Sequence, residues 1–161
     1  MMRIGQGFDT HAFDASRPLV LGGVEVPSRQ GGLRGHSDAD VLTHAVTSAL
    51  LGSLALGDLG RHFPDDDPRW QDVDSLQLLA QVVRMVGERG FRVVNCDSTI
   101  VAQEPRLAAY IDAMRQQLAT CLQVDADCVS VKATTAERMG SLGRSEGIAA
   151  QAVVLVSSNG D

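Results

Sequence analysis

Apolar positions along the chain follow two periods, and the switches between them mark out the elements. Arg3 to Phe8 predicts a short strand running into glycine-rich chain. Leu19-Val20-Leu21 and Val24-Glu25-Val26 flank Gly22-Gly23, a hairpin signal, because paired glycines accept the positive φ of a two-residue turn. Gly31-Gly32 opens a loop expected to stay flexible as far as His36. Val41, Ala45 and Ala49 then repeat at helical spacing, predicting a helix from Ser37 to about Leu54. Ser37 is its expected N-cap, with Asp38 and Asp40 in the first turn, where carboxylates suit the helix dipole. Leu56 to Pro68 reads as a loop, glycine-rich and then acidic. Asp74 or Ser75 caps a second helix, closed by Gly90 after Arg89. Arg92 to Ala102 is β-rich, and Pro105 is placed to start a third helix carrying Leu107, Ile111, Met114, Leu118 and Leu122. Val129 to Lys132 and Ile148 to Val156 predict strands, the last so continuously apolar that it belongs in the middle of a sheet. The expected fold is α+β, a mixed β-sheet with helices packed on one face. It forms a single domain over 1–161, with 157–161 as a flexible polar tail.

Composition narrows the partners. Only 4% of residues are aromatic, so a core drawn from the 44% hydrophobic residues must be built of Val, Leu, Ile and Ala. A net charge of -6 argues against a nucleic-acid partner, which would demand a basic stripe. Any anionic ligand would then need a local positive island of metal ions, a few Arg and Lys, and helix N-termini. Cys96, Cys121 and Cys128 are odd in number and fit no metal or redox spacing, so they read as reduced, mostly buried thiols. Neither an apolar leader nor a membrane-spanning run is present, and the expected compartment is the cytoplasm, or an organelle lumen after loss of a transit peptide.

Asp9-Thr10-His11 is the first chemical cluster. Residues i and i+2 on extended chain face the same side, so carboxylate and imidazole can converge on one ion. A third ligand must come from His36, His44 or His62. Of these, His44 lies mid-helix, four residues beyond Asp40, which is placed to hydrogen-bond its second ring nitrogen. One Asp and two His suit zinc with a position left open for a substrate oxygen. The plainer reading is a turn-capping Asp and two part-buried histidines. Gly5-Gln6-Gly7 lacks the third glycine of a dinucleotide fingerprint, since Thr10 stands there. The acidic run Asp65-Asp66-Asp67 lacks the glycine and terminal Glu of an EF-hand.

Taken together, these blocks resemble the cyclodiphosphate synthases of the non-mevalonate isoprenoid pathway. The resemblance is carried by Ile4 to His11, Gly35-His36-Ser37-Asp38-Ala39-Asp40, His44, Gly57-Asp58-Leu59-Gly60 and Phe63-Pro64-Asp65. It continues in Ala102-Gln103-Glu104-Pro105, Lys132 to Glu137 and Gly143 to Gly147. It implies zinc on Asp9, His11 and His44, with Asp9 and His11 also against the substrate. Transition-state stabilisation falls to His36 and Thr135, and Ser37 holds phosphate. Asp58, Leu59 and Gly60 would contact ribose and diol, and Phe63, Pro64, Asp65, Asp66 and Asp67 would form a mobile cover. Ala102, Gln103, Glu104, Pro105, Arg106, Leu107 and Ala108 would wall the cytidine together with Ala133, Thr134, Thr135, Ala136 and Glu137. Glu137 would also hold a second divalent ion (Mg2+ or Mn2+), and Ser141 and Arg144 complete the substrate contacts. The implied reaction closes a cyclic diphosphate from a cytidine diphosphate substrate, in a homotrimer with sites at subunit interfaces. Gln6, Ser48, Ala136 and Ser141 depart from residues common in that family, and none is an implied metal ligand.

Overall fold

The computed structural model describes residues 1–160. In chain order the strands are β1 (Met2–Asp14), β2 (Leu19–Leu21), β3 (Val24–Val26), β4 (Gly32–Leu33), β5 (Phe91–Val101), β6 (Val129–Thr134) and β7 (Gly147–Ser158). The α-helices are α1 (Val41–Ser53), α2 (Leu59–His62), α3 (Ser75–Glu88), α4 (Ile111–Leu122) and α5 (Gly140–Gly143). Five strands make one sheet in the order β4-β1-β7-β5-β6, and β2 and β3 pair as a separate hairpin. β7 is antiparallel to both β1 and β5, while β5 and β6 run parallel, joined through α4. The sheet is mixed and the fold is α+β, as the sequence pattern requires.

One sheet face is covered by helices, chiefly α1, whose Val41, Leu42, Ala45, Val46, Ala49, Leu50 and Leu51 are all fully buried. A helix apolar on nearly every side is a core helix. It lies directly on the backbone of β1. A Cβ on Gly5 would sit 1.9 Å from the Ala49 carbonyl oxygen, and one on Gly7 would sit 2.0 Å from that of Ala45. The two glycines that fail as a dinucleotide motif are therefore a packing groove. Gly7→Ala is expected to force α1 off the sheet and cost at least about 2 kcal/mol. That corresponds to a thermal midpoint lowered by roughly 5 °C or more; an unchanged melt would show that α1 does not seat on this strand. The opposite face of the sheet is open, with Ile4 69%, Phe8 53% and Val153 40% exposed. β7 is thus central but covered on one face only within a single chain.

Several boundaries differ from the sequence pattern, each for a local reason. β1 continues to Asp14 because β7 pairs with it as far as Ala12↔Gly147 and β4 pairs with its last two residues, Phe13↔Leu33 and Asp14↔Gly32. Gly31 to His36 is no loose loop: Gly32 and Leu33 are buried against Phe13 and Asp14, and Arg34 N–H donates to Ala12 O at 2.8 Å. α1 begins at Val41, and its N-cap is Asp40, whose carboxylate accepts the Thr43 N–H. Pro105 does not start a helix. Ala102 N–H still donates to Thr134 O, prolonging the sheet edge, and α4 begins at Ile111 after buried Leu107. Ser157 and Ser158 belong to β7, paired with Met2 and Phe91, so they are not a tail; Asp161 lies outside the described residues.

Candidate functional site

β1 presents Asp9 and His11 on its helix-covered face, and His44 meets them from α1 across the groove that Gly7 opens. Asp9 Oδ2 lies 2.8 Å from His11 Nε2 and 3.0 Å from His44 Nδ1, and the two ring nitrogens are 3.3 Å apart. The three side chains can offer ligand atoms lying within 4.8 Å of one another. Two imidazole nitrogens and a carboxylate oxygen facing one point are a donor set suited to a divalent cation. Burial pulls the Asp9 carboxyl up, but hydrogen bonds from His11 and His44 outweigh it and hold the group well below the usual carboxylate range. Burial pulls His11 down, yet the hydrogen bond and charge of Asp9 leave its imidazole raised. The Arg34 backbone adds to the same upward shift.

The choice among the three remaining histidines is settled by geometry. His62 Nε2–H donates to Leu56 O at 2.9 Å and His36 Nε2–H donates to Asp67 O at 3.0 Å, which leaves His44 as the third member. Asp40 is not the partner of His44. Fully buried, it accepts Gly22 N–H at 2.9 Å, Gly23 N–H at 2.7 Å and the Thr43 hydroxyl at 2.7 Å, tying the β2–β3 turn to α1. His44 Nε2 faces two hydroxyls instead, Ser75 Oγ at 2.9 Å and Ser37 Oγ at 3.1 Å.

A cavity of about 280 Å³ opens over this cluster, lined by Asp9, His11, Gly35, His36, Ser37, His44, Leu59, Gly60, Phe63, Asp65, Trp70 and Leu78. Asp58 caps α2 through the Arg61 N–H, and Asp67 caps the single turn Pro68–Trp70 while pairing with Arg69. Pro64 and Asp66 stand outside the lining residues. Trp70, packed edge-on to Phe63 at 5.1 Å, belongs to this wall and was not found by motif reasoning. A lone tryptophan beside an acidic loop is the only signal it gives. Ser75 was missed as well, because a serine in a helix's first turn reads as a cap.

A second cavity of about 530 Å³ is lined by Ala102, Gln103, Pro105, Arg106, Leu107, Ala108, Ile111, Ala133, Thr134, Thr135 and Glu137. Thr135 Oγ1 donates to Glu137 Oε1 at 3.0 Å and accepts the Glu137 N–H at 3.2 Å. Glu137 and Arg138 both hold positive φ, 49° and 62°, which bends the chain back across the end of β6. Glu104 and Ala136 are not among the lining residues; Glu104 accepts from Gln30 Nε2 at 3.1 Å. Ser141 and Arg144 lie at α5, away from both cavities, and Arg144 pairs with Glu146 at 2.6 Å. The two cavities share no residue. Asp9, Ala150, Ile100 and Ala133 stand in one register row, so the cavities are separated by three strand spacings, about 14 Å. Buried Ala150 and Ile100 fill the row between them.

The class this geometry defines is an α+β protein with an Asp-His-His cluster able to hold a divalent cation and a second, larger pocket beside, but not continuous with, the cavity over that cluster. The chain belongs to the YgbB family, whose sequence model matches residues 2–157. It is 55% identical to the 2-C-methyl-D-erythritol 2,4-cyclodiphosphate synthase of Geobacillus kaustophilus (strain HTA426), over 99% of this chain and 100% of that one. Among solved structures, the bifunctional IspDF from Campylobacter jejuni superposes with a TM-score of 0.93 at 40% identity, covering 98% of this chain and 42% of that longer one. The CDP complex of Plasmodium falciparum IspF superposes with a TM-score of 0.83 at 28% identity, covering 98% and 96%.

Proposed function

We propose that this chain converts 4-diphosphocytidyl-2-C-methyl-D-erythritol 2-phosphate to 2-C-methyl-D-erythritol 2,4-cyclodiphosphate and CMP, a phosphorus–oxygen lyase reaction of non-mevalonate isoprenoid precursor synthesis. The observation that carries the reading is the pairing of an Asp-His-His cradle, opening into its own cavity, with a separate nucleotide-sized pocket. Near-full-length identity to a protein named for that product supports it.

An oxygen of the 2-phosphate attacks the β-phosphorus, the bond from that phosphorus to the bridging oxygen breaks, and CMP departs with the oxygen. The nucleophile is already ionised, so the protein need not supply a base, and its task is positioning and charge neutralisation. Asp9, His11 and His44 would hold zinc, which would supply Lewis-acid chemistry to a phosphate, and Glu137 would hold a second divalent ion (Mg2+ or Mn2+), which would supply charge neutralisation. His36 donates to developing phosphate charge from the metal side by turning its Nε2–H from Asp67 O, and Thr135 from the nucleotide side by turning its hydroxyl from Glu137. Ser37, its hydroxyl turned to His44, contributes its main-chain N–H. Gly60 and the segment Phe63 to Asp67 close over the erythritol and keep water out. Arg106 brings positive charge to the nucleotide pocket of an acidic chain. Leu59 adds an apolar contact from the wall of the same cavity, and Asp58, Pro64, Asp66, Glu104, Ala136, Ser141 and Arg144 complete the contacts once neighbouring subunits are in place.

The same reading makes the protein a homotrimer with shared sites. Buried Ala150 and Ile100 between the two cavities are hard to reconcile with a diphosphate reaching both on one chain, and open-face Ile4, Phe8 and Val153 are the apolar surface that a cyclic assembly would cover. The setting proposed for the enzyme is the cytoplasm. Burial pushes the Cys96 thiol up to about 12 and the Cys121 thiol up to about 11, so neither is an activated nucleophile. Among the described residues, no helix is long and apolar enough to cross a membrane. The test is incubation with the cytidylyl substrate: CMP and one cyclic diphosphate should form in equal amounts, whereas a nucleotide hydrolase using the same cradle would give linear phosphates.

A further inference from the structure

The outer nitrogen of His44 meets neither a backbone carbonyl nor a carboxylate directly. It meets hydroxyls, and a hydroxyl can either donate or accept. Left to itself, such a partner would not fix which ring nitrogen carries the proton. The surroundings remove that freedom. Ser75 is fully buried in the first turn of α3, and its hydroxyl is hydrogen-bonded to Asp38 Oδ1 in a short contact. Asp38 Oδ2 accepts the Ser75 backbone N–H at 3.0 Å, so one carboxylate grips the residue at two points. Asp38 is itself held by its N–H to Val73 O at 3.0 Å. An ionised carboxylate only accepts, so the Ser75 proton is committed to Asp38. The hydroxyl lone pairs are what remain, and they face His44 Nε2 at 2.9 Å, with the Ser37 hydroxyl farther off at 3.4 Å.

We propose that Ser75, oriented by Asp38, is a positioning residue of the metal centre: its hydroxyl accepts the Nε2 proton of His44 and so commits Nδ1, unprotonated, to the ion. The inference rests on the metal reading above. Asp38, Ser75 and His44 form a carboxylate–hydroxyl–imidazole relay that joins the loop before α1 to the start of α3. Ser37 Oγ also lies 3.1 Å from Nε2, but it accepts the Ala39 N–H at 3.2 Å and no carboxylate fixes its proton. It is the weaker partner, and it remains when Ser75 is removed. Partners of this outer kind are worth 10- to 100-fold in metal affinity.

The test measures zinc affinity by chelator competition, and the His44 tautomer by long-range 1H–15N NMR, in folded wild-type, Ser75→Ala and Asp38→Asn proteins. Wild type should show His44 protonated on Nε2. Ser75→Ala should weaken zinc binding by about 10-fold or more while mixing the tautomers. Asp38→Asn should do the same with the hydroxyl still present, because an amide can donate to Ser75 Oγ and free its proton to turn toward His44. Thermal melts of the metal-free proteins separate this from damage to α3, which would lower the midpoint without changing the tautomer. Zinc affinity within twofold of wild type in Ser75→Ala, or weakened affinity with His44 still purely Nε2-protonated, overturns the relay. A wild-type protein that binds no zinc would instead refute the metal reading on which the relay stands.

Discussion

His44→Ala is expected to leave a folded protein that has lost most of its zinc and with it the activity. The variant removes one of the three side chains of the Asp-His-His cluster, and the vacated space lies at the end of a cavity, so α1 keeps the apolar contacts that seat it on the sheet. Losing an outer-sphere partner costs up to about 100-fold in affinity, and losing a ligand itself costs more. Elemental analysis of the purified variant is the check. One zinc per chain at wild-type stoichiometry would move His44 out of the metal centre, however close its Nδ1 stands to Asp9.

The second large effect is a gain. Asp9→Ala disables the metal half, and the double variant Arg106→Ala/Thr135→Ala disables the nucleotide half; neither protein alone should turn over. The Asp9 row places these halves three strand spacings apart on one chain, with buried side chains between. If each site draws its halves from two neighbouring subunits, equal mixing with free subunit exchange restores about a quarter of the sites. Were both halves taken from one chain, no site in any mixture could be intact. Activity at zero, with exchange verified by a tagged subunit, would reject shared sites without touching the chemistry.

How much of this was legible in the sequence depended on whether the signal was local. Asp9 and His11 could be paired because strand geometry alone puts i and i+2 on one side, and the Gly22-Gly23 hairpin could be placed because turn chemistry is a dipeptide property. α1 was found from its apolar spacing, but its start was misplaced. Asp38 and Asp40 both look like first-turn acids, and only tertiary structure shows Asp40 capping α1 and the β2–β3 turn while Asp38 reaches across to Ser75. Asp40 was assigned to His44 by i,i+4 arithmetic, yet full burial under the hairpin turned it to three backbone N–H groups. Ser75 stands 31 residues from His44, and no period links them. Trp70 enters the metal cavity through a single turn whose position depends on Asp67. Glycines told a similar story: Gly5 and Gly7 were visible as a pair, but their purpose needed α1 in place. The chemistry-bearing blocks were recognisable as blocks; the residues that orient them were not.

If the protein closes a ring without water, no solvent oxygen enters the products, and one measurement tests this directly. The zinc- and magnesium-loaded protein is given the cytidylyl substrate in water enriched in oxygen-18, and the products are followed by phosphorus NMR and mass. The expected result is a cyclic diphosphate and CMP in equal amounts, neither carrying the label, because the attacking oxygen belongs to the 2-phosphate. Label in CMP or in a linear phosphate product would mean that water was the nucleophile, and the cradle of Asp9, His11 and His44 would then serve a hydrolase.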